Sequence, residues 1–208
     1  SGKHKADVVS NSWGYIYFDI ESNSTQGFYL TELMIDLLSV PGFTHPDYPG
    51  TLFVVSAGNE GSGYITVGAP SVSPAALSVA ATTSFHIWEP DYGRPQPADE
   101  LVSWSSRGPS QIGYPKPDVA TLGAYGFSAY PLMKEARFAI ANQWNCWGWF
   151  GGTSMSCPLA AGVCALIIQA YKQAHGTKPT PDVVKYIIKS TADDLGYDSL
   201  TQGSGKIN

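Results

Sequence analysis

A serine held behind two glycines at the start of a long apolar run is the clearest chemical signal in this chain. The stretch Gly151-Gly152-Thr153-Ser154-Met155-Ser156-Cys157-Pro158 leads into Leu159-Ala160-Ala161-Gly162-Val163, which reads as a helix. Ser154 falls in its first turn, beside unpaired backbone N–H groups and the positive end of the helix dipole. Acyl transfer needs that setting, because an exposed nucleophile must sit next to donors for the developing oxyanion. The same residues can also serve as an ordinary helix cap. A second segment tips the balance. Leu52-Phe53-Val54-Val55 is a short apolar run suited to a strand buried on both faces, and Ser56-Ala57-Gly58-Asn59-Glu60-Gly61 follows it. At the end of a parallel strand the Asn59 amide can donate to a carbonyl oxygen that is gaining charge, although Asn-Glu-Gly is also a common turn. A third strand, Val8-Val9-Ser10-Asn11, runs into Ser12-Trp13-Gly14, whose backbone can pair with an extended peptide or simply continue a sheet.

These segments, in this order, resemble the subtilisin-like serine proteases (subtilases). Ala57-Gly58-Asn59-Glu60-Gly61 is similar to the family's oxyanion segment, and Gly152-Thr153-Ser154-Met155-Ser156 with Pro158 to its nucleophile motif. Three further matches are Ser105-Ser106-Arg107-Gly108-Pro109, Lys116-Pro117-Asp118-Val119-Ala120 and the ending Gly203-Ser204-Gly205-Lys206-Ile207-Asn208. The wording Ser-Asn-Ser-Trp-Gly with Ser-Ser-Arg-Gly-Pro is closest to the pyrolysin and tripeptidyl peptidase II branch. The resemblance implies an endopeptidase acting on polypeptides through an acyl-enzyme on Ser154. It implies oxyanion donors from the Asn59 amide and the Ser154 N–H. Ser12, Trp13 and Gly14, opposite Ala57 and Gly58, are then the lining of the first specificity pocket, with Trp13 adding bulk. The implied fold is α/β, a doubly wound parallel sheet, with Ala69–Pro70 a candidate cis bond. Calcium is a family possibility with no locatable site here, and no other metal or cofactor is identifiable.

The family's Asp-x-Gly and His-Gly-Thr-His segments, which precede the serine, are absent. The expectation is a single domain over residues 1–208, the C-terminal portion of a catalytic domain without its N-terminal strands. Its catalytic Asp and His are expected upstream. Alone, such a piece is expected to be inert, and either to self-associate through an exposed sheet edge or to keep its missing half bound. His175-Gly176-Thr177 imitates part of the histidine motif, yet it lies about 30 Å along the same helix from Ser154. It reads as a helix end, with His near the negative dipole and Gly as the cap. His4, His45 and His86 stand in unrelated contexts. Two alternatives remain. An α/β-hydrolase wants Gly two residues past its serine, where this chain has Ser156. A catalytically inactive subtilase-like module that only binds peptides is the other.

Composition fits this picture. Only 14% of residues are charged, against an average of about 25%, and the chain carries 22 Gly and 15 Pro. That suits a loop-rich secreted, extracellular or cell-surface enzyme. A net charge of −5 without a basic run argues against nucleic acid and anionic membranes. No apolar stretch is expected to reach the roughly 18 residues needed to span a bilayer. Cys157 and Cys164 fall about 10 Å apart on one helix, beyond disulfide reach, and Cys146 lies in a loop.

The elements that position these residues can be sketched from periodicity. Strands are expected at Asp7–Asn11, Leu52–Ser56, Ala76–Thr82 and Leu101–Ser105. The first three should be parallel neighbours, joined by long crossovers. A helix over Gln26–Ser39 presents Leu30, Leu33, Met34, Leu37 and Leu38 as a buried face. Insertions are expected near 84–100, rich in proline, and 123–150, rich in aromatics. The latter forms either a cleft wall or core beneath a long loop. Thr180-Pro181 starts a last helix with Val183, Val184, Ile187 and Ile188 inward. Pro158 has no N–H for the carbonyl of Ser154, which the helix therefore leaves unbonded.

Overall fold

Runs of β-branched and small apolar residues build the centre of the molecule. The computed structural model describes residues 6–15, 30–84, 99–129 and 147–208. Strands β1 (Val8–Asn11), β2 (Leu52–Ser56), β3 (Leu77–Thr83) and β4 (Val119–Ala124) lie side by side in sequence order. Every neighbouring pair is parallel, with Val8 opposite Leu52, Val54 opposite Leu77 and Val79 opposite Val119. The three strands expected to be parallel neighbours are so, and Ala69–Pro70 is cis.

Alternation along the strands divides the core into two layers. Leu52, Val54, Leu77, Val79 and Val119 face helix α2 (Thr153–His175) and helix α3 (Pro181–Ser190). There they meet Cys157, Ala160, Cys164, Ile168, Val184 and Ile188. Phe53, Val55 and Ala76 face helix α1 (Leu30–Ser39) through Ile35. Helices thus cover both faces of the parallel sheet, the doubly wound α/β arrangement. Each fully buried Val or Leu contributes about 1.5–3 kcal/mol. A short helix α4 (Ser199–Gln202), capped by Asp198, turns the chain so that Ile207 N–H donates to Ala120 O beside β4.

Among the described residues, α2 alone has the length and apolar composition of a membrane span. Small and polar residues interrupt its apolar run. Its inward side, built on Cys157, Ala160, Cys164 and Ile168, packs on the sheet.

The orientation of α1 differs from expectation. Leu30, Leu33, Met34 and Leu37 are exposed and Leu38 is half-buried, while Glu32, Ile35 and Ser39 point inward. Polar tethers set this rotation. Asp36 Oδ1 accepts from Ser73 Oγ (2.6 Å) and Ala75 N–H (3.2 Å), and Tyr15 Oη meets Thr31 Oγ1 at 2.7 Å. Residues 26–29 of the expected helix lie outside the described residues. The expected strand at Leu101–Ser105 reduces to a single bridge from Leu101 to Thr82. There the chain turns, with Ser105 N–H donating to Val102 O, and β4 occupies the place beside β3. The sequence marks β4 only through the Lys116-Pro117-Asp118-Val119-Ala120 motif, because small residues dilute the apolar run Val119-Ala-Thr-Leu-Gly-Ala. Strands β5 (Gly126–Ala129) and β6 (Trp147–Phe150) pair antiparallel in a separate ribbon. Most of the 84–100 insertion, together with residues 130–146, lies outside the described residues.

A buried charge cluster ties β3, β4 and α3 together. Asp118 accepts from Lys116 Nζ (2.8 Å), Ser78 N–H (2.9 Å) and Lys189 Nζ (3.0 Å). Lys116 Nζ also donates to Ala76 O, and Lys185 Nζ to the carbonyls of Pro74, Ala75 and Ala76. Burial alone would raise the Asp118 pKa, but Lys116, Lys185 and Lys189 outweigh it and bring it to about 2. Burial lowers Lys185 to about 8, against the opposing pull of Asp118. The consequences for stability have opposite windows. Asp118 stabilises the fold above its unfolded value of 3.8, and that contribution is lost as pH falls towards 2. The unfolded chain binds a proton at Lys185 that the folded chain lacks between about 8 and 10.5, so stability rises with pH there. Urea unfolding should show both slopes. Asp118→Asn should flatten the acid slope, leaving the smaller share of Asp194 and Asp198, and cost about 3–5 kcal/mol at pH 7 by stranding Lys116. An unchanged acid slope in that variant would assign it to another carboxylate.

Candidate active site

Two loops and one helix start meet at the C-terminal ends of β1 and β2, where open parallel sheets place their sites. After β2 the chain runs through Ala57 and Gly58 to Asn59, whose side chain is exposed. Asn59 Oδ1 accepts from Thr153 N–H (2.8 Å) and from Thr153 Oγ1 (3.1 Å). Thr153 Oγ1 in turn accepts from Gly58 N–H at 3.2 Å. A backbone N–H must face an oxygen, so these bonds fix the amide orientation and turn Nδ2 outward as a donor.

The nucleophile candidate lies one residue further. Gly152, at φ 143, forms the N-cap of α2 without a side-chain cap, and its N–H donates to Gly123 O. Ser154 sits in the first turn, where no helical carbonyl lies four residues back to take its N–H. Its Oγ donates to Ser12 O at 3.3 Å, and Ser12 Oγ donates to Ser154 O at 3.0 Å. Asn59 and Ser154 line one cleft together with Trp13, Gly14, Ala57, Gly58 and Thr153. Six of the seven residues singled out from sequence therefore line one concavity, and Ser12 adjoins it through its bonds to Ser154. Trp13 is 48% exposed and stacks on Tyr15 at 6.4 Å, so its ring is available at the cleft wall.

Residues without a role assigned from sequence complete the frame. Ser106, from the Ser-Ser-Arg-Gly-Pro segment, donates through Oγ to Glu60 Oε2 (2.8 Å) and accepts from Glu60 N–H (3.1 Å). Its own N–H bonds Gly58 O, so this segment braces the Asn59 turn. Tyr15 and Ala69 exchange backbone hydrogen bonds across the cleft floor. The β5–β6 ribbon lies against the nucleophile turn. A Cβ on Gly126 would strike Met155, and one on Gly151 would strike the Tyr125 ring. Tyr125, Phe127 and Phe150 are exposed, which disfavours the core reading for these aromatics. Trp144 and Cys146 lie outside the described residues.

No described histidine is near Ser154. His175 closes α2, packed on Tyr171 at 4.2 Å, with Gly176 in the left-handed cap conformation. His45 precedes β2 at its N-terminal end, roughly 17 Å of strand away from Asn59. His4 and His86 lie outside the described residues. Cys157 and Cys164 are free and buried, and burial pushes the Cys164 thiol up to about 12, which leaves it unreactive. Among the described residues no three or more His, Cys, Asp or Glu side chains cluster as metal ligands.

Comparison with known proteins matches this geometry. The subtilase family (peptidase S8) matches residues 1–206. Pyrolysin of Pyrococcus furiosus is 30% identical over 99% of this chain and 15% of its own length. Tripeptidyl-peptidase 2 of Drosophila melanogaster is 32% identical over 98% of this chain and 13% of its own length. Serine protease AprX of Bacillus subtilis is 31% identical over 76% of this chain and 34% of its length. The chain thus spans a small part of these curated relatives. Among solved structures, the prenylagaramide maturation protease PagA superposes with TM-score 0.62 at 23% identity, over 98% of this chain and 59% of that one. Sphericase superposes with TM-score 0.60 at 19% identity, over 97% and 56%. With the family matched over nearly the whole chain and the parallel sheet beneath the same motifs, this protein belongs to the subtilase family of serine peptidases.

Proposed function

We propose that this domain hydrolyses internal peptide bonds through an acyl-enzyme on Ser154. The observation that carries this reading is the Asn59 amide, locked by Thr153 so that its donor faces the cleft that Ser154 shares. Ser154 Oγ attacks the scissile carbonyl, and the oxyanion takes hydrogen bonds from Asn59 Nδ2 and the Ser154 N–H. Ser12, Trp13 and Gly14 pair with the peptide from one side, and Ala57 and Gly58 flank its side chain from the other. The histidine base and its orienting aspartate come from sequence outside these 208 residues. The relatives are several times longer, and neither described histidine can reach the serine. The domain is then the C-terminal portion of its catalytic unit. The low charge and Gly- and Pro-rich loops favour work outside the cell. The same missing base also favours, as a second reading, a module that binds peptides without cutting them.

A fluorophosphonate, which labels only activated serines, separates the two readings. The 208-residue chain should resist labelling, and the full-length protein should be modified at Ser154, as read by peptide mass mapping. Rapid labelling of the short chain would overturn the missing base, and no labelling of the full-length protein would favour the peptide-binding module. In the full-length enzyme Asn59→Ala should lower kcat by about 10²–10³, the loss seen for one oxyanion donor in a subtilisin. A change confined to KM would remove Asn59 from that role.

A further inference from the structure

The first turn of α2 contains a defect that the rest of the site repairs. Pro158 lacks the N–H that would bond the carbonyl of Ser154, so the helix leaves that oxygen without its usual partner. An orphaned carbonyl in the nucleophile's own peptide unit is free to tilt, and tilting carries Cα and Oγ with it. Here the oxygen is not left to solvent: Ser12 Oγ, beyond the end of β1, donates to it at 3.0 Å.

We propose that Ser12 is a positioning residue, which aims the Ser154 nucleophile by clamping the carbonyl that Pro158 sets free. This rests on the reading of Ser154 as nucleophile. The clamp completes a set of restraints on the turn. Gly152 N–H is held by Gly123 O, Thr153 N–H by Asn59 Oδ1, and Ser154 O by Ser12 Oγ. Ser154 is thus fixed on both sides of its Cα, while its N–H stays open towards the cleft. The contact also couples the two strand ends. Trp13 and Gly14, which follow Ser12, line one wall of the cleft, so this bond ties that wall to Ser154. The bond from Ser154 Oγ to Ser12 O is a separate contact, made to the backbone. Replacing the Ser12 side chain leaves that acceptor in place, which makes the clamp testable by itself.

Four forms of the full-length protein decide the matter: wild type, Ser12→Ala, Pro158→Ala and the double variant, with Ser12→Thr as the conservative control. Losing one hydrogen bond should lower kcat, and the rate of fluorophosphonate labelling, by about 3–10-fold in Ser12→Ala with KM unchanged. Ser12→Thr should restore it. Pro158→Ala supplies a helical N–H for the same carbonyl, so in that background removing Ser12 Oγ should cost less than about 2-fold. The carbonyl itself gives a readout independent of turnover. With ¹³C′-labelled serine, the Ser154 carbonyl resonance should move in Ser12→Ala and return in the double variant. Equal losses in both backgrounds, a loss confined to KM, or an unmoved carbonyl resonance would overturn the clamp. Absence of labelling in wild type would instead defeat the nucleophile reading, while the resonance still decides the hydrogen bond.

Discussion

One hydrogen bond, from Thr153 N–H to Asn59 Oδ1 at 2.8 Å, joins the end of β2 to the start of α2. Rotated by half a turn, the amide would present oxygen to a developing oxyanion and repel it. The backbone N–H forbids that orientation, because it would then face an NH₂ group and lie unsatisfied, at a cost of about 1–3 kcal/mol. The bond is short only if helix and strand approach closely. Cys157, Ala160 and Cys164 on the inner side of α2 permit that approach against Leu52, Val54 and Val79. A larger residue at any of the three would lift the helix and separate Thr153 from Asn59. Core packing and the placement of the Asn59 amide are therefore one constraint at two distances.

The expensive electrostatics lie elsewhere. Asp118 and Lys116 are buried near the N-terminal ends of β3 and β4, where Ser78 N–H and Ala76 O meet them. In a parallel sheet those ends point away from the edge that carries Asn59. Such ion pairs return little net stability and mainly penalise wrong arrangements. Here they register β3, β4 and α3 at one end. Among the described residues lining the cleft, Glu60 is the one carboxylate, and Ser106 holds it.

What could be read from the sequence follows from range. Ser154, Asn59 and the Ser12-Trp13-Gly14 segment were legible because each sits in a local strand-end or helix-start pattern, and the resemblance supplied their order. The parallel sheet was legible because Leu52–Ser56 and the strand expected at Ala76–Thr82, observed at Leu77–Thr83, are short, apolar and widely separated. The face of α1 was misjudged because leucine spacing gives a period and not a direction. The direction came from Asp36 reaching Ser73 and Ala75, partners 37 and 39 positions away. Ser106 stood in a matched motif, but its task of holding Gly58 and Glu60 was not legible, for the same reason. Ser12 was visible as a pocket residue, but its bond to Ser154 spans 142 positions, and only the fold brings the two together.

The start of α2 shows why such long-range partners are needed. Most helices satisfy their first N–H groups with a Ser, Thr, Asp or Asn cap, which contributes about 1 kcal/mol. Here the N-cap is Gly152, with no side-chain cap. A local cap would hydrogen-bond the donors that the proposed function assigns to the oxyanion, and would fill the space in front of Ser154. The helix therefore forgoes that stabilisation at its first turn and recovers order from distant groups, Gly123, Asn59 and Ser12. Those groups satisfy the atoms facing away from the cleft and leave the Ser154 N–H facing it. An interior of small residues, a proline at the sixth position of the helix and a glycine at its cap all serve that same end. The proline removes a local hydrogen bond, the glycine a Cβ, and the small interior lets the helix approach the sheet, so that Ser154 is held by tertiary structure.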